Sequence, residues 1–250
     1  MSPVRGAAAL VAGFLALAIA TGCARDGVRR ASAGPAAAAR SLSRYDFEEV
    51  HFGNVPVALT LYARDEEQAR AAAQVAFRRI AELSAMMTDY DLDPPSPLNR
   101  IAAAAPEPVS VPPELLTALA RAVEMHDITD GAFDVTAKPY VQLWRVSQRL
   151  GELPPVDRLR RAARLVDIQA LELSPSASTA RLARGGMWLD LGGLAMGLIG
   201  GEVGRLLRAS GIPRGRFGGG GGRGLGGPPP GVGGWTVRGT DVPLEGGGVL

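Results

Sequence analysis

The sequence predicts an α+β fold, a mixed sheet with packed helices. Residues 55–63 alternate apolar and less apolar side chains, as a half-buried strand does, and a helical pattern follows directly. Residues 171–183 have the pattern of a β-hairpin with Pro175 and Ser176 in its turn. Because hairpins are mixed with long helices, regular alternation of parallel strands and helices is not expected.

The first 22 residues have the pattern of a secretory signal peptide. Arg5 precedes an apolar run from Ala7 to Ala20, which is shorter than the roughly 20 residues that span a bilayer. The chain's single cysteine, Cys23, follows small residues as in a bacterial lipobox; the alternative is an ordinary signal peptide with an incidental cysteine. We therefore expect an exported protein, lipid-anchored through Cys23 to a bacterial membrane and facing the periplasm.

Composition and charge predict a single domain that follows a flexible tether. Residues 23–46 are small and polar without a period, which predicts a flexible tether, and we expect the domain to begin at residue 47. The formal charge of the 250 residues is +2, and Lys138 is the only lysine. The arginines alternate with acidic residues and form no basic stripe, so no nucleic-acid partner is expected.

Helical spacing of apolar residues predicts four helices in the domain. The first has an N-cap at Asp65 with Gln68 three residues later, the arrangement of a capping box. The last begins at Gly193, directly after a strand expected over residues 187–191. The predicted helices cover residues 65–87, the segment after Pro112 and Pro113, residues 155–167 and residues 193–209.

A glycine turn that follows Asp190 has the sequence features of a phosphate-binding site. A pyrophosphate needs its charge met by a cation and by oriented backbone N–H groups, which a glycine turn opening a helix supplies. Asp190, Gly192 and Gly193 occupy such a turn. Taken alone, Asp190 is equally consistent with a helix N-cap and with a ligand contact. His126 is most simply a histidine of the core boundary, and no zinc site is expected.

Three segments, in this order and spacing, resemble the signature blocks of the ApbE family of FAD:protein FMN transferases. They are MMTDYDLDPPSPLNRI from residue 86, TDGAFDVTAKPYVQLW from residue 129 and MWLDLGGLAMG from residue 187. The resemblance implies an exported, magnesium-dependent enzyme that splits FAD at its pyrophosphate and releases AMP. FMN is then attached through a phosphoester to a threonine of a partner flavoprotein, a subunit of a membrane redox complex.

The same resemblance implies the residues that contact the cofactor and the metal. From the residues alone, the alternative for Tyr90 is a rim tyrosine, and Phe133 is equally a core residue. For Asp134 the alternative, a cap of the backbone after a tight turn, is favoured less than a cofactor contact. The general base is left open. The implied flavin nucleotide contacts are Tyr90, Ala132, Phe133, Asp134, Asp190 and Met196, and the implied magnesium ligand is the backbone carbonyl of Gly193.

Two departures from the family pattern predict an impaired site. Met196 stands where the family has a lysine and offers no hydrogen-bond donor. Residues 47–211 are expected to form an incomplete domain and residues 212–250 its Gly- and Pro-rich degraded remnant, with the C-terminal part missing or disordered. The late Asp-x-x-x-Thr motif that supplies magnesium's side-chain ligands does not occur in this sequence, so we expect an incomplete metal site.

Three functions are therefore weighed: the flavin transferase, a catalytically impaired flavin-binding lipoprotein or inactive fragment, and an Arg- and Gly-rich nucleic-acid binder. Export argues against the last of these. The glycine pattern over residues 222–227 follows no predicted strand and opens no helix, so it is not a dinucleotide-binding turn.

Overall fold

Two antiparallel sheets form the strand layers of the protein. The computed structural model describes residues 41–90, 93–220 and 222–235. The larger sheet has the order β1-β2-β6-β7, and the smaller has the order β3-β5-β4. The strands are β1 (Ser43–His51), β2 (Val55–Ala63), β3 (Val109–Ser110), β4 (Leu171–Ser174), β5 (Thr179–Leu182), β6 (Gly215–Gly219) and β7 (Gly222–Leu225).

The helices cover one face of the larger sheet and confirm the α+β class. Helices α1 and α6 pack on each other and on the inner face of this sheet. Leu59, Leu61 and Phe217 from the strands are buried there with Ile80 and Ile199 from the helices. The helices are α1 (Glu66–Met87), α2 (Pro97–Ala104), α3 (Pro113–Ile128), α4 (Lys138–Leu150), α5 (Val156–Ala163) and α6 (Gly192–Ala209).

Local sequence signals set the boundaries of α1 and of the β4–β5 hairpin as predicted, whereas α2 and α4 are not among the four predicted helices. The Asp65 side chain accepts a hydrogen bond from the Gln68 N–H at 2.8 Å, which caps α1. Strands β4 and β5 pair across a turn that contains Pro175 and Ser176, as the hairpin pattern predicts. Helix α5 ends at Ala163, earlier than the expected residue 167, because Asp167 instead caps a short 3-10 turn.

Strand β1 begins inside the segment that was expected to be a tether. It starts at Ser43 rather than at residue 47, and it pairs with β2 along its whole length. Charged side chains occupy three of its outward positions, Arg44, Asp46 and Glu48, while Tyr45 and Phe47 are partly buried against the core, so a long apolar pattern is hard to see in the sequence. The predicted signal peptide and Cys23 lie outside the described residues.

The glycine-rich segment contributes a strand to the middle of the larger sheet. Strand β6 lies between β2 and β7, and its Phe217 is buried in the core. A Cβ atom on Gly215 would lie 2.8 Å from the Thr60 carbonyl oxygen, so the close approach of β6 to β2 requires glycine there. The segment expected to be a degraded remnant therefore forms strands over residues 215–219 and 222–225. Residues 236–250 lie outside the description.

The strand predicted over residues 187–191 is wrong. These residues have no regular secondary structure and belong to no sheet, and the Asp190 N–H donates instead to the Val135 carbonyl at 2.8 Å. Met187, Leu189 and Leu191 are buried in the core, which explains the strand-like alternation. Within the described ranges, the helices are all too short or too polar to cross a bilayer.

Candidate functional site

The turn after α3 is held rigidly by its own polar side chains. Asp134 Oδ1 accepts hydrogen bonds from the Thr136 N–H at 2.7 Å and from its hydroxyl at 2.6 Å. His126 Nδ1 lies 3.1 Å from the Phe133 carbonyl oxygen and 3.5 Å from Asp134 Oδ2. Gly131 has φ +78°, a conformation that favours glycine. Asp134 thus caps the backbone, as one of the two alternatives predicted, and its second oxygen faces His126.

The turn before α6 lies directly against the Asp134 turn. The hydrogen bond from Asp190 to Val135 joins the two backbones. Asp190 Oδ1 accepts from the Gly192 N–H at 2.7 Å, so this carboxylate caps the first turn of α6. A Cβ atom on Gly193 would lie 3.3 Å from Phe133 Cε2, which places the Phe133 ring on that first turn. Two segments whose aspartates are 56 residues apart in the sequence therefore meet at the N-terminus of α6.

Tyr90 lies in a third loop, between α1 and α2. The Asn99 side-chain amide donates to the Tyr90 carbonyl at 2.8 Å and anchors this loop to α2. The Tyr90 side chain is 49% exposed. A Cβ atom on Gly53, in the turn between β1 and β2, would lie 3.8 Å from Tyr90 Cε2. The ring is therefore held at one edge and has a free surface for stacking, as a rim tyrosine would also have.

Two basic residues of α4, neither predicted from the sequence, connect these loops. Lys138 Nζ donates to the Asp89 carbonyl at 2.5 Å, lies 3.7 Å from Asp89 Oδ2 and stacks 4.9 Å above the Trp188 ring. Arg145 Nη1 lies 3.5 Å from Asp89 Oδ2, and Arg145 Nη2 lies 3.8 Å from Asp190 Oδ2. Arg145 therefore bridges the Tyr90 loop and the turn before α6.

A sequence signal for this pair existed. The only lysine of the chain and Arg145 are seven residues apart, which places them on the same face of a helix. Lys138 is almost completely buried, whereas the Arg145 side chain is 48% exposed. Arg145 is thus the cation of this pair that a ligand can reach.

Met196 and Ala132 lie at the margins of this arrangement. Met196 Cε lies 3.0 Å from the Cβ position of Gly219, so this side chain packs against the end of β6. It also lines a cavity of about 410 Å³ on the glycine-rich face of α6, whose lining includes neither Asp134 nor Asp190. Ala132 is exposed at the tip of its turn. The structure thus brings together Phe133, Asp134, Asp190 and Gly193 and connects the Tyr90 loop through Arg145, while the cofactor contacts implied for Met196 and Ala132 stay predictions.

Helix α6 is held in place by a cluster of ion pairs with α1 and α3. Arg79 Nε lies 3.4 Å from Glu202, and Arg79 Nη2 lies 3.1 Å from Glu114. Hydrogen bonds from Arg205 and Arg79 outweigh partial burial and hold the pKa of Glu202 below its ordinary value. This cluster fixes the helix whose N-terminus forms the candidate site.

The described residues do not fit a magnesium ion at this site. Magnesium prefers one or two carboxylates together with phosphate and water oxygens. Here Asp89 faces Lys138 and Arg145, and Asp190 faces Arg145 and caps α6. Within the described ranges, no three His, Cys, Asp or Glu side chains come together. The predicted ligand, the Gly193 carbonyl, has no free carboxylate beside it among the residues described here.

Comparison with known proteins decides the family. The model of the ApbE family matches residues 54–245, which includes the glycine-rich segment. The chain belongs to the ApbE family. This confirms the resemblance drawn from the three sequence blocks.

Relatives and solved structures of the ApbE family support this family assignment. The chain is 28% identical over 193 residues to the FAD:protein FMN transferase of Klebsiella pneumoniae (strain 342), covering 77% of this chain and 57% of that one. It is 32% identical over 113 residues to the FAD:protein FMN transferase of Treponema pallidum (strain Nichols), covering 43% of this chain and 31% of that one. The chain thus spans less than two thirds of either relative.

The fold is shared with solved ApbE structures. The flavin transferase ApbE from Vibrio cholerae superposes with a TM-score of 0.65 at 22% identity, over 74% of this chain and 60% of that one. The ApbE protein from Thermotoga maritima gives 0.61 at 18% identity, over 71% and 57%. These similarities confirm the predicted ApbE-like fold.

Proposed function

We propose that this chain carries the flavin nucleotide site of an FAD:protein FMN transferase, which transfers FMN from FAD to a threonine of a partner flavoprotein. The observation that carries the proposal is the meeting of the Asp134 and Asp190 turns at the N-terminus of α6, beside Arg145. In the first turn of α6 the Gly192 N–H is bonded to Asp190 and the Leu194 N–H to the Leu191 carbonyl, so the Gly193 N–H is the donor that we assign to a phosphate oxygen. Family membership and the transferase relatives support the same function.

Each segment has a role in holding the nucleotide. Tyr90 offers an aromatic face for the isoalloxazine ring. The phosphates lie at the first turn of α6, where Arg145 can leave its two carboxylates and donate to phosphate oxygens. Asp134 and Asp190 keep both turns in position through their backbone hydrogen bonds. The nucleotide is thus bound by one exposed arginine, one exposed tyrosine and the Gly193 N–H.

The transfer itself is a substitution at phosphorus. The threonine hydroxyl oxygen of the acceptor attacks the phosphorus of the FMN half, the bond from that phosphorus to the bridging oxygen breaks, and AMP leaves with that oxygen. The hydroxyl proton goes to solvent, and no residue of this chain is assigned as the base. The family resemblance implies magnesium. The described residues do not fit this ion.

Flavin binding without transfer is the second candidate function. The observation that favours it is the pairing of Asp89 and Asp190 with basic side chains, together with a methionine at position 196. Such a chain keeps the flavin contacts but has, among its described residues, no free carboxylate at this site for a metal. It is the impaired lipoprotein considered in the sequence analysis.

One experiment separates the two functions. The purified chain is incubated with FAD, magnesium chloride and a threonine-bearing acceptor domain, and the acceptor's mass and released AMP are measured. A mass increase by one FMN with an equal amount of AMP supports the transferase. Quenching of FAD fluorescence without a mass increase selects flavin binding alone, and no quenching at all refutes both proposals.

We further propose that the acceptor is a flavoprotein subunit of a membrane redox complex and that Cys23 carries the lipid that keeps this chain at the same membrane. The pattern of residues 1–23 supports export and anchoring. Metabolic labelling with palmitate tests the anchor. Label on the wild-type chain that is lost in Cys23→Ser supports it, whereas equal labelling of both contradicts it.

A further inference from the structure

Helices α4 and α5 form a helical hairpin that ends in exposed aliphatic side chains. Leu150 is 67% exposed, Leu153 is 82% exposed and Val156 is 62% exposed. We call these three residues the hairpin tip. Trp144, one to two turns earlier on α4, is also exposed and shares a shallow groove with Leu153. Aliphatic residues are scattered singly on most protein surfaces, so three within seven residues mark a contact surface.

The hairpin tip has a fixed conformation. Gly151 ends α4 with φ +71°, and the Gly151 and Glu152 N–H groups both donate to the Ser147 carbonyl. Pro154 is buried, and the Pro155 carbonyl accepts from the Leu159 N–H at the start of α5. Both ends of the connection between α4 and α5 are therefore hydrogen-bonded. Leu153 projects from a turn held by these bonds.

Basic residues surround the tip. Residues 149–164 contain five arginines and two acidic residues, a net charge of +3, compared with +2 for the whole chain. Arg161 is paired with Asp157. Among the residues that the structure describes, no carboxylate lies within 4.0 Å of Arg149, Arg158 or Arg160. Arg160 follows Val156 by four residues and therefore lies on the same face of α5.

We propose that the hairpin tip docks on the surface of an anionic lipid bilayer. Aliphatic side chains and a tryptophan enter the boundary between headgroups and acyl chains, while flanking arginines stay with the lipid phosphates. A lipid surface suits this arrangement because exposed apolar side chains lie at the tip and a net positive charge flanks them, which matches the apolar boundary and the anionic phosphates of a bilayer. The proposal is independent of flavin transfer, and it concerns described residues rather than the predicted lipid anchor.

The test uses an environment-sensitive fluorophore at the tip. Cys23→Ser removes the only thiol of the full chain, so an added cysteine can be labelled alone. Leu153→Cys places the label at the tip, and Ser176→Cys places it in the exposed β4–β5 turn as the matched control. Both labelled chains are mixed with phosphatidylcholine vesicles, with or without phosphatidylglycerol. Circular dichroism checks that they are folded.

We expect a blue shift and a rise in emission at position 153 with the anionic vesicles only, and no change at position 176. Replacing Arg149, Arg158 and Arg160 by Gln should raise the lipid concentration for half-maximal change by about a hundredfold, since three basic residues near the surface contribute about fivefold each. No change at position 153, or equal changes at both positions, would overturn the proposal. A change with soluble polyglutamate but not with vesicles would overturn it in favour of an acidic protein partner.

Discussion

Replacing Gly215 by Ala tests whether the glycine-rich segment forms the strand that the structure gives it. The new Cβ atom would lie 2.8 Å from the Thr60 carbonyl oxygen and 3.3 Å from Leu61 Cδ2. Contacts between a Cβ atom and backbone below about 3.0 Å force a shift, and here the contacted atom belongs to the neighbouring strand β2. Because Gly215 pairs with Leu61 in the core of the larger sheet, β6 has to move away from β2. Overpacking of this kind costs about 1–3 kcal/mol of unfolding free energy.

Gly218 on the same strand is the matched control, because a Cβ atom there would meet nothing within 4 Å. Gly218→Ala should leave stability unchanged or raise it by about 0.4–1 kcal/mol, since it restricts the unfolded chain. Urea unfolding followed by circular dichroism measures both variants, and thermal midpoints should differ by about 2–4 °C for each kcal/mol. Equal effects of the two substitutions, or a neutral Gly215→Ala, would refute the pairing of β6 with β2.

Three further predictions concern the site and its support. Arg145→Gln should weaken FAD binding by about tenfold or more, because a charge-assisted hydrogen bond to phosphate is lost. Arg149→Gln is the control. Equal affinities of the two variants for FAD, measured by fluorescence quenching, would exclude Arg145 from the site. Tyr90→Ala should weaken FAD binding by about three- to tenfold through loss of stacking, whereas Tyr90→Phe should bind FAD as the wild type does. A Phe variant that binds FAD as weakly as the Ala variant would contradict stacking. Glu202 has a pKa held below its ordinary 4.5 by hydrogen bonds from Arg205 and Arg79, against partial burial. Its stabilising contribution is therefore complete above pH 4.5 and is lost as pH falls through the lower folded-state pKa. Stability in acid should fall less steeply for Glu202→Gln than for wild type, and parallel curves of unfolding free energy against pH would contradict this.

The candidate site could be predicted in part, because its turns are built from local interactions. Asp134 and Asp190 each bond backbone N–H groups two residues away, so the residues themselves specify the turns. The meeting of the two turns rests on one backbone hydrogen bond between distant segments. Arg145 was missed because a charge on a helix face does not indicate which carboxylates another loop will bring to it. Met196 is implied as a cofactor contact by family position alone; it packs against Gly219 at the end of β6, and its contact with the cofactor stays a prediction.

The sequence by itself determined the class of fold, the boundaries of α1, the β4–β5 hairpin and the family. Capping, periodicity and turn composition act over a few residues, and three ordered blocks carry enough pattern for a family assignment. Tertiary structure alone decided that residues 187–191 form no strand, that β1 begins at Ser43 and that a run of glycines supplies β6. A strand forms only when a partner strand lies beside it. A glycine-rich strand has no alternating side-chain pattern from which it could be predicted. Its place was set by how closely β6 approaches Thr60 and by the burial of Phe217.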